Sequence, residues 1–194
     1  MATTSRIGGT NVTTAAAARW SASMLASFAA SQIGGAIMAV VLGAIYVTAF
    51  HTQLLQPLNI IASYRYGEPA IYSLHAMGYA WAFAFHLAVC AAWGIVYGLL
   101  ATSLRVDASK WAPVALGVAI GLASQIVDIN LVTPVLMVNL HGHNLWAENV
   151  PTWVSWVGHL AFGLGFATFP VMFRSLWLRW SGRGDLLRDD PRIR

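Results

Sequence analysis

Hydrophobic and polar positions along this chain are segregated into long blocks. No Asp, Glu, Lys or Arg occurs between Trp20 and Tyr64, between Pro69 and Leu104, or between Asn149 and Phe173. A fourth apolar block, Trp111 to Val138, is interrupted by a single charge, Asp128. Each block exceeds the roughly 20 residues that a helix needs to cross a bilayer. The pattern predicts four transmembrane helices, at about Gly34 to Gln56, Gly78 to Leu104, Trp111 to Val138 and Pro151 to Phe173. Arg19 to Ser31 is helix-prone and either lies at the membrane surface or extends the first span. Residues 1–18 are expected to form a mobile cytoplasmic arm, residues 19–173 one membrane domain, and residues 174–194 a basic juxtamembrane tail.

Within the blocks, polar and small residues recur with helical spacing. The second span carries Ala82, His86, Cys90, Gly94 and Gly98 at steps of four, and the fourth carries Ser155, His159, Gly163 and Ala167. On the third, Gly117, Gly121, Ser124 or Gln125, and Asp128 share one face. Small residues at this spacing let helix backbones approach closely, which is how helices pack in lipid. A carboxylate as deep as Asp128 is costly against lipid and should face protein. Pro134 is expected to loosen the third helix near its outer end.

The same plan occurs twice. Pro57 matches Pro134, Gln53 matches Asn130 and His51 matches Asp128 at a constant offset of 77 residues. His86-Leu-Ala matches His159-Leu-Ala at an offset of 73. An all-α membrane protein is therefore expected, with two tandem helical hairpins, about 34–104 and 111–173. A pseudo-two-fold along the membrane normal would relate them.

Composition agrees with a membrane protein. Hydrophobic residues make up 58% of the 194 and charged residues only 9%, against about 25% in soluble domains. Ten of the eleven basic residues fall at Arg6 and Arg19, at Arg105 and Lys110, or from Arg174 onward. Placing those zones in the cytoplasm satisfies the positive-inside rule and puts both termini there. The excess positive charge then reads as topology and contact with lipid headgroups, and a nucleic-acid partner is not expected. Trp111, Trp146, Trp153, Trp156, Trp177 and Trp180 lie near predicted span ends, as in an aromatic belt. The lone cysteine, Cys90, precludes an intrachain disulfide.

The sharpest chemical candidate is the set His51, His86, Asp128 and His159, one residue from each span. Imidazoles and a carboxylate together suit a transition metal such as zinc, copper or iron. His86 and His159 alone suit the two axial positions of a haem. The alternative for each is structural: a histidine on a packing face bonds a backbone carbonyl, and Asp128 fixes helix register. The His141-Gly-His143 pair reads as a solvated loop. No Gly-x-Ser-x-Gly, His-Glu-x-x-His, phosphate-binding glycine loop or Cys-x-x-Cys is present, so an enzyme is not expected.

Gly34-Gly35, Pro57 to Ala62, His86 with Gly94 and Gly98, and His159 with Gly163 together resemble a loose group of uncharacterised bacterial four-helix integral membrane proteins. The likeness spans about Gly34 to Phe173 and implies the fold only, with no activity attached; helical spans, where outer-membrane proteins are usually barrels, lead one to expect a bacterial cytoplasmic membrane. Three functions remain as expectations. The first is a non-catalytic accessory subunit that docks on other membrane subunits or on a second copy of itself. The second is a haem or metal protein using the histidine cluster. The third is a small proton-coupled transporter, acting as a dimer, with Asp128 and the histidines as relay.

Overall fold

The computed structural model describes residues 10–73, 75–106, 109 and 111–181. The N-terminal arm up to residue 9 and the tail from residue 182 lie outside the described residues, as do positions 107, 108 and 110 of the loop between the second and third spans. Among the described residues the protein is all helical, with no strand. Four helices are long and apolar enough to cross a membrane: Ala16–Ala49, Ala76–Ser103, Ala112–His141 and Thr152–Trp180.

The first of these belongs to α1 (Thr10–Ala49), a single helix of 40 residues. It starts within the expected arm and absorbs Arg19 to Ser31. The reason is a second small-residue stripe: Ala22, Ala26 and Ala30 beside Ser23, Ser27 and Ser31 are 0–2% exposed. The serines pack against α4 (Ala76–Ser103). A Cβ placed on Gly98 would meet Met24 Sδ at 2.9 Å and Ser27 Oγ at 3.0 Å, and one placed on Gly94 would overlap Ser31. The hydroxyls close on nearby acceptors: Thr102 Oγ1 donates to Ser23 Oγ at 2.6 Å, and Ser27 Oγ to Ser23 O at 2.7 Å.

At its other end α1 stops at Ala49, seven residues short of the expected Gln56. Thr52 caps it, its backbone N–H reaching Tyr46 O at 3.0 Å and its hydroxyl at 3.2 Å. Between them His51 takes a left-handed φ of 55°. Pro57 does not end the span; it sits in the first turn of a separate helix, α2 (Gln56–Tyr66), where its missing N–H costs nothing. A short α3 (Pro69–Tyr72) then leads to α4.

The third span is continuous: α5 (Ala112–Ser124), a π-helical stretch from Gln125 to Val132, and α6 (Thr133–His141). Pro134, in the first turn of α6, has no N–H to bond backwards and crowds the preceding turn. The wider π register absorbs that misfit without breaking the helix. Pro57 and Pro134 therefore occupy different settings, one opening a new helix and the other inside a span. A short α7 (Leu145–Asn149) leads to the fourth span, built from α8 (Thr152–Leu164), a 3₁₀ turn Gly165–Thr168 and α9 (Phe169–Trp180).

Glycines set the closest crossings. A Cβ on Gly117 of α5 would stand 2.5 Å from Gly163 O of α8, and one on Gly163 would stand 2.5 Å from Gly117 O. Gly34 of α1 and Gly165 touch in the same manner. The far end of the bundle is filled by rings, with Tyr97 stacked on Phe166 at 4.0 Å. The other end is capped by α2, α3 and α7, and the candidate site lies beneath them.

Candidate functional site

His86 and Cys90 stand one turn apart on α4, with Trp93 on the same face, opposite the small residues of α1. Gly35 leaves room for them: a Cβ there would meet Cys90 Sγ at 2.6 Å and His86 Nε2 at 3.2 Å. His86 Nε2 donates to Gly35 O at 3.2 Å, and Cys90 Sγ lies 3.7 Å from the same nitrogen. Since a carbonyl only accepts, Nε2 carries the proton and Nδ1 is left as an acceptor. His159 on α8 is 5% exposed and bonds Ser155 O of its own helix through Nδ1 at 2.8 Å. By the same logic its Nε2 is the acceptor. Both histidines thus use one nitrogen structurally and keep one lone pair.

Asp128 comes from the π-helical stretch. Trp93 Nε1 donates to its Oδ2 at 2.8 Å, and this is the only hydrogen bond to that carboxylate among the described residues. Its backbone carbonyl accepts from Thr133 Oγ1 at 2.6 Å, and Thr133 in turn pairs with the Tyr64 hydroxyl. That contact ties α2 to the π-helical segment. Burial pushes the Tyr64 hydroxyl up to about 12, with the Thr133 bond acting against the rise and the Asp128 charge adding to it.

His86, Asp128 and His159 line one cavity of about 120 Å³ with Cys90, Trp93, Tyr64 and Thr133, and apolar side chains such as Met38, Ile61 and Phe162 complete the wall. His51 does not join them. It lies beyond the end of α1, exposed, and lines a separate surface cleft with Gln53, Gln56 and Glu148. The expected four-residue convergence is corrected to three, because α1 ends before it can carry His51 inward. Among the described residues no three His, Cys, Asp or Glu side chains stand close enough to hold a metal ion. A cavity of about 150 Å³ takes one benzene ring, so a porphyrin between His86 and His159 does not fit the space present.

The remaining histidines have separate structural tasks. His75 caps α4, accepting from Gly78 N at 3.2 Å, and His141 Nε2 donates to Tyr64 O at 3.2 Å. His143 pairs with Glu148 at 2.8 Å on the surface. Trp146, expected in the aromatic belt, is only 9% exposed and lines the cavity. Its indole nitrogen has no partner among the described residues.

Sequence reasoning missed Trp93, Tyr64, Thr133 and Trp146. For Trp93 a signal existed: it falls mid-span, where a belt role does not apply, seven residues after His86. An indole N–H at that depth needs an acceptor, and Asp128 is the only carboxylate within a span. No family model, curated protein or solved structure matches this chain.

Proposed function

We propose that the protein is a non-catalytic, membrane-embedded binding protein that takes a small lipophilic molecule into the cavity between α4, the π-helical stretch and α8. The observation that carries this is the gathering of Asp128, His86 and His159, from three different spans, around one space with otherwise largely apolar walls. Ionisable groups in a span are costly, and when they meet at a cavity they mark a ligand or ion site more often than a packing accident. Among the residues of the wall, His86, His159 and Asp128 each keep acceptor capacity beyond the hydrogen bonds they make. It contains no activated nucleophile. The Cys90 thiol has no general base free for it, since His86 presents its protonated nitrogen to Gly35.

Native mass spectrometry of protein released from mild detergent tests this. The wild type is expected to carry a bound small molecule that Leu136→Trp, which fills the cavity from its rim, does not. Identical masses bound to both proteins, or to neither, would refute the proposal.

A further inference from the structure

A second cavity adjoins the first. It holds about 330 Å³, lies between α1, α2, α4 and α8, and shares Met38, Ile61, His86 and Trp146 with the first. Its wall is almost wholly apolar. Several of its lining residues are open to the bundle exterior, among them Val40 at 70% exposed, Leu54 at 61% and Phe83 at 55%. His86 lines both cavities, so a molecule spanning the two would pass beside it.

The inner cavity has a definite charge character. The only acidic side chain that lines it is Asp128, and neither Lys nor Arg lines it. Five aromatic side chains line the same cavity, Tyr64, Phe85, Trp93, Trp146 and Phe162, and Trp93 bonds the acid directly. Carboxylate plus aromatic rings is the combination that holds an alkylated ammonium, by direct Coulomb attraction and by the ring quadrupoles. The acceptor nitrogens of His86 and His159 reinforce that sign. At about 120 Å³ the space approaches the roughly 150 Å³ that takes benzene, a size suited to a compact head group.

We infer that the ligand is a single-chain cationic amphiphile, with its alkylated ammonium head beside Asp128 among the rings and its tail in the cleft between α1, α2 and α4. The assignment rests on the inner cavity being a binding site, as proposed above. The test uses full-length protein in nanodiscs and equilibrium dialysis of tritiated probes, with empty nanodiscs as background. The probes are tetramethylammonium, octyltrimethylammonium and the neutral N,N-dimethyloctanamide, which has a similar chain and no charge.

Wild type is expected to retain both cations. Asp128→Asn should weaken both by about ten-fold or more, since one full charge is removed at low dielectric, and Asp128→Glu should restore them. Ala39→Trp, which blocks the cleft, should weaken octyltrimethylammonium alone. Far-UV circular dichroism confirms that each variant is folded. Retention of the neutral amide by wild type and Asp128→Asn alike, with no preference for the cation, would overturn the charge assignment and leave the cavity as a binding site. Equal loss of both cations in Ala39→Trp, or of neither, would overturn the tail placement. Retention of no probe above empty nanodiscs would overturn the inference together with the binding role.

Discussion

Replacing Gly163 by alanine tests the packing that brings α5 and α8 together behind His159. The new Cβ would lie 2.5 Å from Gly117 O, 3.1 Å from Gly117 C and 3.2 Å from the Cα of Gly121. Ordinary contact begins near 3.4 Å, so the helices must part by about 0.9 Å at their tightest point. The obstacles are backbone atoms, which cannot swing aside. A gap of that size forfeits roughly a quarter to a half of each dispersion contact, and each carbon pair is worth about 0.1–0.2 kcal/mol. Over a few tens of pairs the loss is up to about 3 kcal/mol, within the range of measured overpacking costs. Alanine recovers about 1 kcal/mol of helix propensity, so Gly163→Ala should destabilise by up to about 2 kcal/mol. Reversible unfolding in mixed micelles with rising SDS fraction, followed by circular dichroism, measures it. Gly117→Ala breaches the same gap from the other side, so the double variant should cost much less than the two single costs combined. Ala115→Leu, on the exposed face of the same helix, should stay within about 0.5 kcal/mol. A Gly163→Ala protein as stable as wild type, or full additivity with Gly117→Ala, would refute the close-crossing argument.

Two further predictions follow from the hydrogen bonds around the site. Ser155 Oγ donates to Gln125 Oε1 at 2.6 Å, while Gln125 Nε2 is buried with no partner among the described residues. Ser155→Ala should therefore cost about 1–3 kcal/mol by stranding the whole amide, whereas Ser155→Ala with Gln125→Leu should be closer to wild type; the same SDS titration decides between them. Tyr64 has its hydroxyl raised to about 12 from an ordinary value of 10, so the folded state binds that proton more tightly than the unfolded. Stability should therefore fall by about 2–3 kcal/mol as the pH climbs from about 10 through about 12. Tyr64→Phe should lower stability at neutral pH by about 1 kcal/mol through loss of the Thr133 bond and flatten the alkaline decline. Unfolding curves at pH 8 and pH 11 that fall equally in both proteins would contradict it.

The sequence by itself determined the class of solvent this protein lives in and the faces by which its helices meet. Charge-free stretches longer than a bilayer crossing favour spanning helices, because a helix pairs its backbone polar groups within its own segment in lipid. Glycine at steps of four is just as local a signal, and Gly94, Gly98, Gly117, Gly121 and Gly163 all lie at helix contacts. Serine and alanine at the same step in Ala22 to Ser31 carried equal information, which is why α1 begins before its most hydrophobic part. Which polar side chains converge was decided only in three dimensions. His51 and Asp128 align by sequence offset, yet one lies on an exposed loop and the other in a π-helical turn beside Trp93. A proline reads identically in a sequence whether it starts a helix, as Pro57 does, or widens one, as Pro134 does. The difference depends on what packs against it, here the bond between Tyr64 on α2 and Thr133 at the start of α6. Local sequence sets periodicity and solvent. The meeting of residues from separate spans depends on crossing points and helix ends fixed by contacts far apart in the chain.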